Sequence, residues 1–144
     1  MRSWDDVRRR LEDELIDLVD EEFVVVGEPQ PPAEPRQGLL RRRARPDPTR
    51  YVQVRRAGEH LVTECVGAAS FGGDWEVDEP THDRLRALGW LVPGDPDPVG
   101  VAPSYPNYWS ALPRSEAAHT AAMCAGALEI LGADADSLEW RRDR

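Results

Sequence analysis

The sequence predicts an α+β domain in which helices pack on one face of an antiparallel sheet. Three observations predict it. An amphipathic helical repeat opens the chain, a β-hairpin sits near its middle, and separated helical segments follow. At 144 residues the chain suits a single domain spanning 1–144, long enough to bury a core without metal or disulfide staples.

The first helix is the strongest element. Ser3 is placed to cap it, with Asp6 reaching back in the manner of a capping box. Trp4, Val7, Leu11, Leu15 and Leu18 recur at spacings of three and four and form one apolar stripe. Arg8, Arg9, Glu12, Asp13 and Asp17 lie on the wet side. Burying each large apolar side chain contributes about 1.5–3 kcal/mol, so the stripe must pack on something.

Glu22-Phe23-Val24-Val25-Val26 reads as a strand stopped by Gly27. Four prolines then mark a loop near residues 27–38. Tyr51 to Arg56 is a strand with Tyr51 and Gln53 on one face and Val52 and Val54 on the other. Ala57-Gly58-Glu59 turns the chain, and His60 to Val66 returns as the second arm of the hairpin. A short helix follows, capped by Asp78 or Thr81, with Pro80 in its first turn and Leu85 and Leu88 facing inward. Gly89 ends it, and Trp90 folds back onto the Leu85 turn. Prolines mark a second loop over residues 93–106. A third helix runs from about Ser115 to Leu131, with Ala118, Ala121, Ala122, Ala125 and Leu128 turned inward. Ser137 to Arg141 closes the chain as a short strand. The expected order is α-β-β-β-α-α-β.

Charge narrows the function. Asp and Glu number 27 against 18 basic residues, a net charge of -9, which argues against a nucleic-acid duplex or an anionic membrane as the main partner. Every basic residue is arginine, a bias of the kind a GC-rich genome imposes. Residues 36–56 hold eight arginines against the single acid Asp47. This stretch is a solvated loop, a charge partner for the acidic first helix of the same or a second subunit, or a nucleic-acid contact. The last would want interleaved aromatics, and only Tyr51 is there. The N-terminus carries no apolar signal core, and no run reaches the roughly 18 apolar residues of a membrane span, so the expected compartment is the cytoplasm.

Catalytic signals are sparse. His60, His82 and His119 lack metal-motif spacing, and no phosphate-binding glycine loop is present. No cofactor or metal is expected. Cys65 and Cys124 read as buried apolar thiols, with Cys65 paired to His60 or His119 as the enzymatic alternative. Trp90, Tyr105, Asn107, Tyr108 and Trp109 gather around the second proline-rich loop. Either the tryptophans anchor that loop to the core, or the segment is a peptide-binding edge of the kind aromatic hot spots make.

Several stretches resemble the TY-Chap family, bacterial domains related to type III secretion chaperones and to YbjN domains. Tyr51-Val52-Gln53-Val54 and Thr63-Glu64-Cys65-Val66 are similar to its paired strands, and Leu85 through Trp90 to the end of its short helix. Pro106-Asn107-Tyr108-Trp109 is similar to its Pro-Asn-Trp segment, and Ser137-Leu138-Glu139-Trp140 to its closing strand. The resemblance covers about residues 48–142. Tyr108 stands as an insertion between Asn107 and Trp109, Gly67 takes the place of a polar residue, and the segment 27–50 is long for the family. The resemblance implies a non-enzymatic chaperone or adaptor of type III secretion chaperone-like fold, homodimeric, with a client or effector polypeptide as partner. Trp90, Tyr105, Asn107 and Trp109 are the expected partner-binding residues. A regulatory or structural subunit of a larger assembly is the alternative.

Overall fold

The computed structural model describes residues 2–29, 49–73, 75–97, 100 and 107–144. The elements run α1 (Trp4–Asp17), β1 (Phe23–Gly27), β2 (Tyr51–Ala57), β3 (His60–Cys65), α2 (Glu79–Leu88), β4 (Tyr108–Pro113), α3 (Ala117–Ile130) and β5 (Glu139–Asp143). The five strands form one sheet in the order β4-β3-β2-β1-β5, and every neighbouring pair is antiparallel. The α+β class holds.

One strand departs from the expected order. β4 stands where the sequence reading ran straight from a proline-rich loop into the third helix. Its local signal is weak because alternation is erased: Tyr108, Trp109 and Ser110 are all buried, so period-two patterning has nothing to show. The closing strand is also displaced. Ala135–Ser137 forms a 3-10 turn, and β5 starts at Glu139. Most of the proline-rich stretch 27–38 and of 93–106 lies outside the described residues.

Strand parity sorts the sheet into two faces. Val24, Val26, Val52, Val54, Leu61, Thr63 and Cys65 point inward and are at most 1% exposed. All three helices lie on this inner side. α3 packs against α1, α2 and strands β2, β3 and β4. It is buried on most of its circumference, through Ala117, Thr120, Ala121, Met123, Cys124, Ala125, Ala127 and Leu128. The expected inward face needs correction here, because Ala118 is exposed and Ala122 only half-buried. A helix with neighbours on several sides has no single apolar stripe to read. Its small residues permit close approach: a Cβ built on Gly126 would stand 2.8 Å from Leu88 Cδ1 of α2.

The helix ends follow local chemistry. Ser3 and Asp6 form both halves of the capping box. Asp78 accepts from the Thr81 amide, and Gly89 closes α2 at φ 115° with the Trp90 amide bonded to the Leu85 carbonyl. α1 has no basic residue in its last turn, but two distant arginines serve its C-terminal end. Arg56 donates to the Leu18 carbonyl at 2.9 Å. Arg142 of β5 reaches Glu14, Asp17 and Glu22 at 3.1, 3.1 and 2.7 Å and the Asp17 carbonyl at 2.9 Å. Arg10 lies over the Trp140 ring at 4.0 Å. Together these contacts bind α1 to the edge of the sheet.

Two outcomes follow. Leu11→Ala, at a position with no exposure, should lower the unfolding free energy by about 2–5 kcal/mol in urea titrations. The Arg142 hydrogen bond, the Val19 amide and the arginine charge hold the Glu22 carboxyl below its ordinary 4.5. A depressed carboxylate stabilises the fold above its unfolded value and loses that contribution as pH falls through the folded one. The stability gap between wild type and Arg142→Ala should therefore be full above about pH 4.5 and shrink below it, read from unfolding midpoints at pH 7 and pH 3.

A candidate polypeptide-binding face

The outer face of the sheet carries no helix among the described residues. Phe23 and Val25 of β1, Tyr51, Gln53 and Arg55 of β2 and Glu64 of β3 lie on it, all half-buried. Glu139, Arg141 and Asp143 of β5 continue it and are exposed. The β4 end of this face is closed off, with Val62 of β3 and Trp109 of β4 both buried. There Leu91 pairs with Trp109 through two backbone hydrogen bonds of 2.8 and 3.0 Å. The Trp109 indole donates to the Val92 carbonyl at 3.2 Å, the Val92 amide donates to Asp95, and Asp95 pairs with Arg86 at 3.4 Å.

The four expected partner-binding residues take different places. Trp90 is 1% exposed, and its indole donates to the Met123 carbonyl of α3 at 3.2 Å. Trp109 is 3% exposed. In this conformation neither presents its ring to a partner, because each indole needs a buried acceptor for its N–H and finds one in the core. Asn107 is half-buried, and its amide donates to Glu64 Oε1 on the outer face at 3.2 Å. Tyr105 lies outside the described residues. Trp109 and Asn107 are thus brought to the β3–β4 end of the outer face, while Trp90 is separated from them on the helical side.

The enzymatic alternative finds no assembled group among the described residues. His60 lies on the outer face of β3 and Cys65 on the inner, by strand parity. His119 is exposed beside Glu116, whereas Cys65 has no exposure. Burial pushes the Cys65 thiol up to about 12 and also raises that of Cys124, with the neighbouring Cys65 adding to it. Both therefore stay protonated at neutral pH, in the form that is not nucleophilic. His82 is occupied on both ring nitrogens, by the Tyr108 hydroxyl at 3.1 Å and by an Arg86 N–H donating at 3.3 Å. The Thr63 and Thr120 hydroxyls are buried without a hydrogen-bond partner. No cluster of three or more metal-ligating side chains occurs among the described residues.

Three of the eight arginines in 36–56 are described, and each is engaged within the chain. Arg50 forks onto Glu28 at 3.1 Å, donates to the Leu131 carbonyl at 2.6 Å and lies 4.3 Å over the Trp75 ring. Arg55 pairs with Glu21 at 3.5 Å. Arg56 binds Leu18 and Gly58 carbonyls. The acidic first helix is met by Arg142, with Arg56 touching the carbonyl of its C-cap Leu18.

Sequence reasoning missed the outer-face set and the edges of the sheet. Alternation in Tyr51-Val52-Gln53-Val54 is the one signal that pointed to a second, less buried face. Its composition across strands needed the register.

Trp109→Ala should cost about 3–5 kcal/mol in denaturant unfolding. It should leave no folded variant with a selective binding defect.

No curated protein and no solved structure gives a significant match to the chain. No helix among the described residues is long and apolar enough to cross a membrane. A family model does match, over residues 1–137, and its description is TY-Chap3: T3SS (YopN, CesT) and YbjN peptide-binding chaperone 3. An antiparallel five-stranded sheet with its helices on one side is consistent with that match, and the chain belongs to this family of peptide-binding chaperones.

Proposed function

We propose that the protein is a non-enzymatic chaperone or adaptor that holds a client polypeptide soluble or delivers it, working as a homodimer in the bacterial cytoplasm. The observation that carries this reading is the family match over residues 1–137. The outer face, which carries no helix among the described residues, supports it. Phe23, Val25 and Tyr51 offer apolar and aromatic surface there, between polar Gln53 and charged Arg55 and Arg141. Such a mixed surface can grip an extended chain through backbone and side chains together. The net charge of -9 keeps a protein with sticky surface apart from its own copies until a client or a specific subunit contact forms. Within this reading Tyr105 and Asn107 contact the client. Trp90 and Trp109 act from beneath, by holding the Leu91–Val92 turn against β4.

The test is affinity capture from the native host, followed by co-expression of each recovered partner with and without this chain. The expected result is one stoichiometric partner that precipitates alone and stays soluble in the complex. Recovery of the protein by itself at several expression levels would count against a client. A partner soluble alone, with no free pool of this protein, would instead favour a fixed subunit of a larger assembly.

A further inference from the structure

The two edges of the sheet are not equivalent. Hydrogen-bond direction alternates along each strand, so the bonds between neighbouring strands fix which backbone groups point outward. Glu28 bonds Arg50 and Glu22 bonds Arg56, which turns the even residues of β1 toward β2 and Phe23, Val25 and Gly27 toward β5. Their partners Asp143, Arg141 and Glu139 therefore face β1. The amides and carbonyls of Trp140 and Arg142 are left pointing away from the sheet. No backbone partner meets them among the described residues.

At the opposite edge the outward positions of β4 are Trp109, Ala111 and Pro113. Leu91 already takes both backbone groups of Trp109, and Pro113 has no N–H to give. Among the described residues only Ala111 is left open there, too little for a strand. β5 is guarded differently. It carries Glu139, Arg141 and Asp143 on the outer face, all exposed, while Trp140 and Arg142 turn inward and are held by Arg10 and by Glu14, Asp17 and Glu22. Alternating charge repels an arbitrary apolar strand. It does not repel a strand of the opposite pattern, and these three residues occupy the non-hydrogen-bonded positions of any added strand, where facing side chains come closest.

We propose that β5 is the edge at which the client is taken up, by an extended segment that adds a sixth strand and carries basic, acidic and basic side chains at alternate positions opposite Glu139, Arg141 and Asp143. This rests on the reading that the protein binds a polypeptide, and it adds the edge, the backbone groups and the charge pattern of the segment.

The probe is a pair of blocked, fluorescein-labelled peptides that share a threonine-rich frame. One has the core Lys-Thr-Glu-Thr-Lys and the other Glu-Thr-Lys-Thr-Glu. With three facing pairs, fluorescence anisotropy should show the first binding about tenfold more tightly at low salt. Methylating the backbone amides that would meet Trp140 and Arg142 should remove the binding. Arg141→Glu, at an exposed position, reverses one of the three facing pairs and should cut the tenfold preference to about twofold with an unchanged melting temperature, while Ala111→Pro on β4 should leave binding as it was. Equal binding of both peptides, or a loss caused by Ala111→Pro and not by Arg141→Glu, would overturn the assignment. If neither peptide binds while wild type still keeps its co-expressed client soluble, the edge is wrong and the chaperone reading stands. If wild type keeps no client soluble, that reading itself fails.

Discussion

The structure depends on how closely α3 can approach everything around it. Ala117, Ala121, Ala125 and Ala127 are all buried, and Gly126 lies where a Cβ would collide with Leu88. A helix with large side chains at these positions would stand off from the sheet and from its neighbours, because interiors pack at near-crystalline density and leave no slack. With α3 seated close, α1 and α2 can both reach it on the same side of the sheet. The layered arrangement follows from that. One sheet face is committed to the helices, and the other carries none among the described residues.

Charge then does work that the small core does not. α1 ends in a run of carboxylates with no cation of its own in the last turn. Arg142, from the far end of the chain, gathers two of those carboxylates, Glu14 and Asp17, together with Glu22 ahead of β1 and the Asp17 carbonyl. This ties the first helix to the last strand, and the same strand lies at the open edge of the sheet. The elements that give the edge its stability and the residues that give it selectivity therefore sit on alternate positions of β5, separated by strand parity alone. Substitutions on the outer positions can alter recognition without disturbing the contacts that hold the strand.

The aromatic cluster shows how residue type and role can part company. Tryptophan and tyrosine near a proline-rich loop read equally well as a binding edge or as anchors. Burial separates them: Trp90 and Trp109 each spend their indole N–H on a core carbonyl. Trp109 in turn closes the β4 edge through Leu91. Its place is thus structural, at the closed edge of the sheet.

Much of the fold was legible because it rests on local chemistry. The α1 stripe, its capping box, the two-residue hairpin turn at Gly58 and the Gly89 stop with Trp90 folded back were all written in short spacings. The family resemblance was legible for the same reason, being carried by short segments. β4 was not, because both parities of its first half are buried and its edge is paired with Leu91, which leaves no alternation to read. Nor was the inward face of α3, since a helix surrounded on several sides shows no stripe. The sequence by itself determined the class, the helix ends and the acidity of the chain, which depend on near neighbours and on composition. Which face stays open, which edge is blocked and which arginine meets α1 were decided by the tertiary structure alone, because each depends on strand order and register that join residues apart in sequence, from Leu91 and Trp109 at the blocked edge to Glu14 and Arg142 at the other.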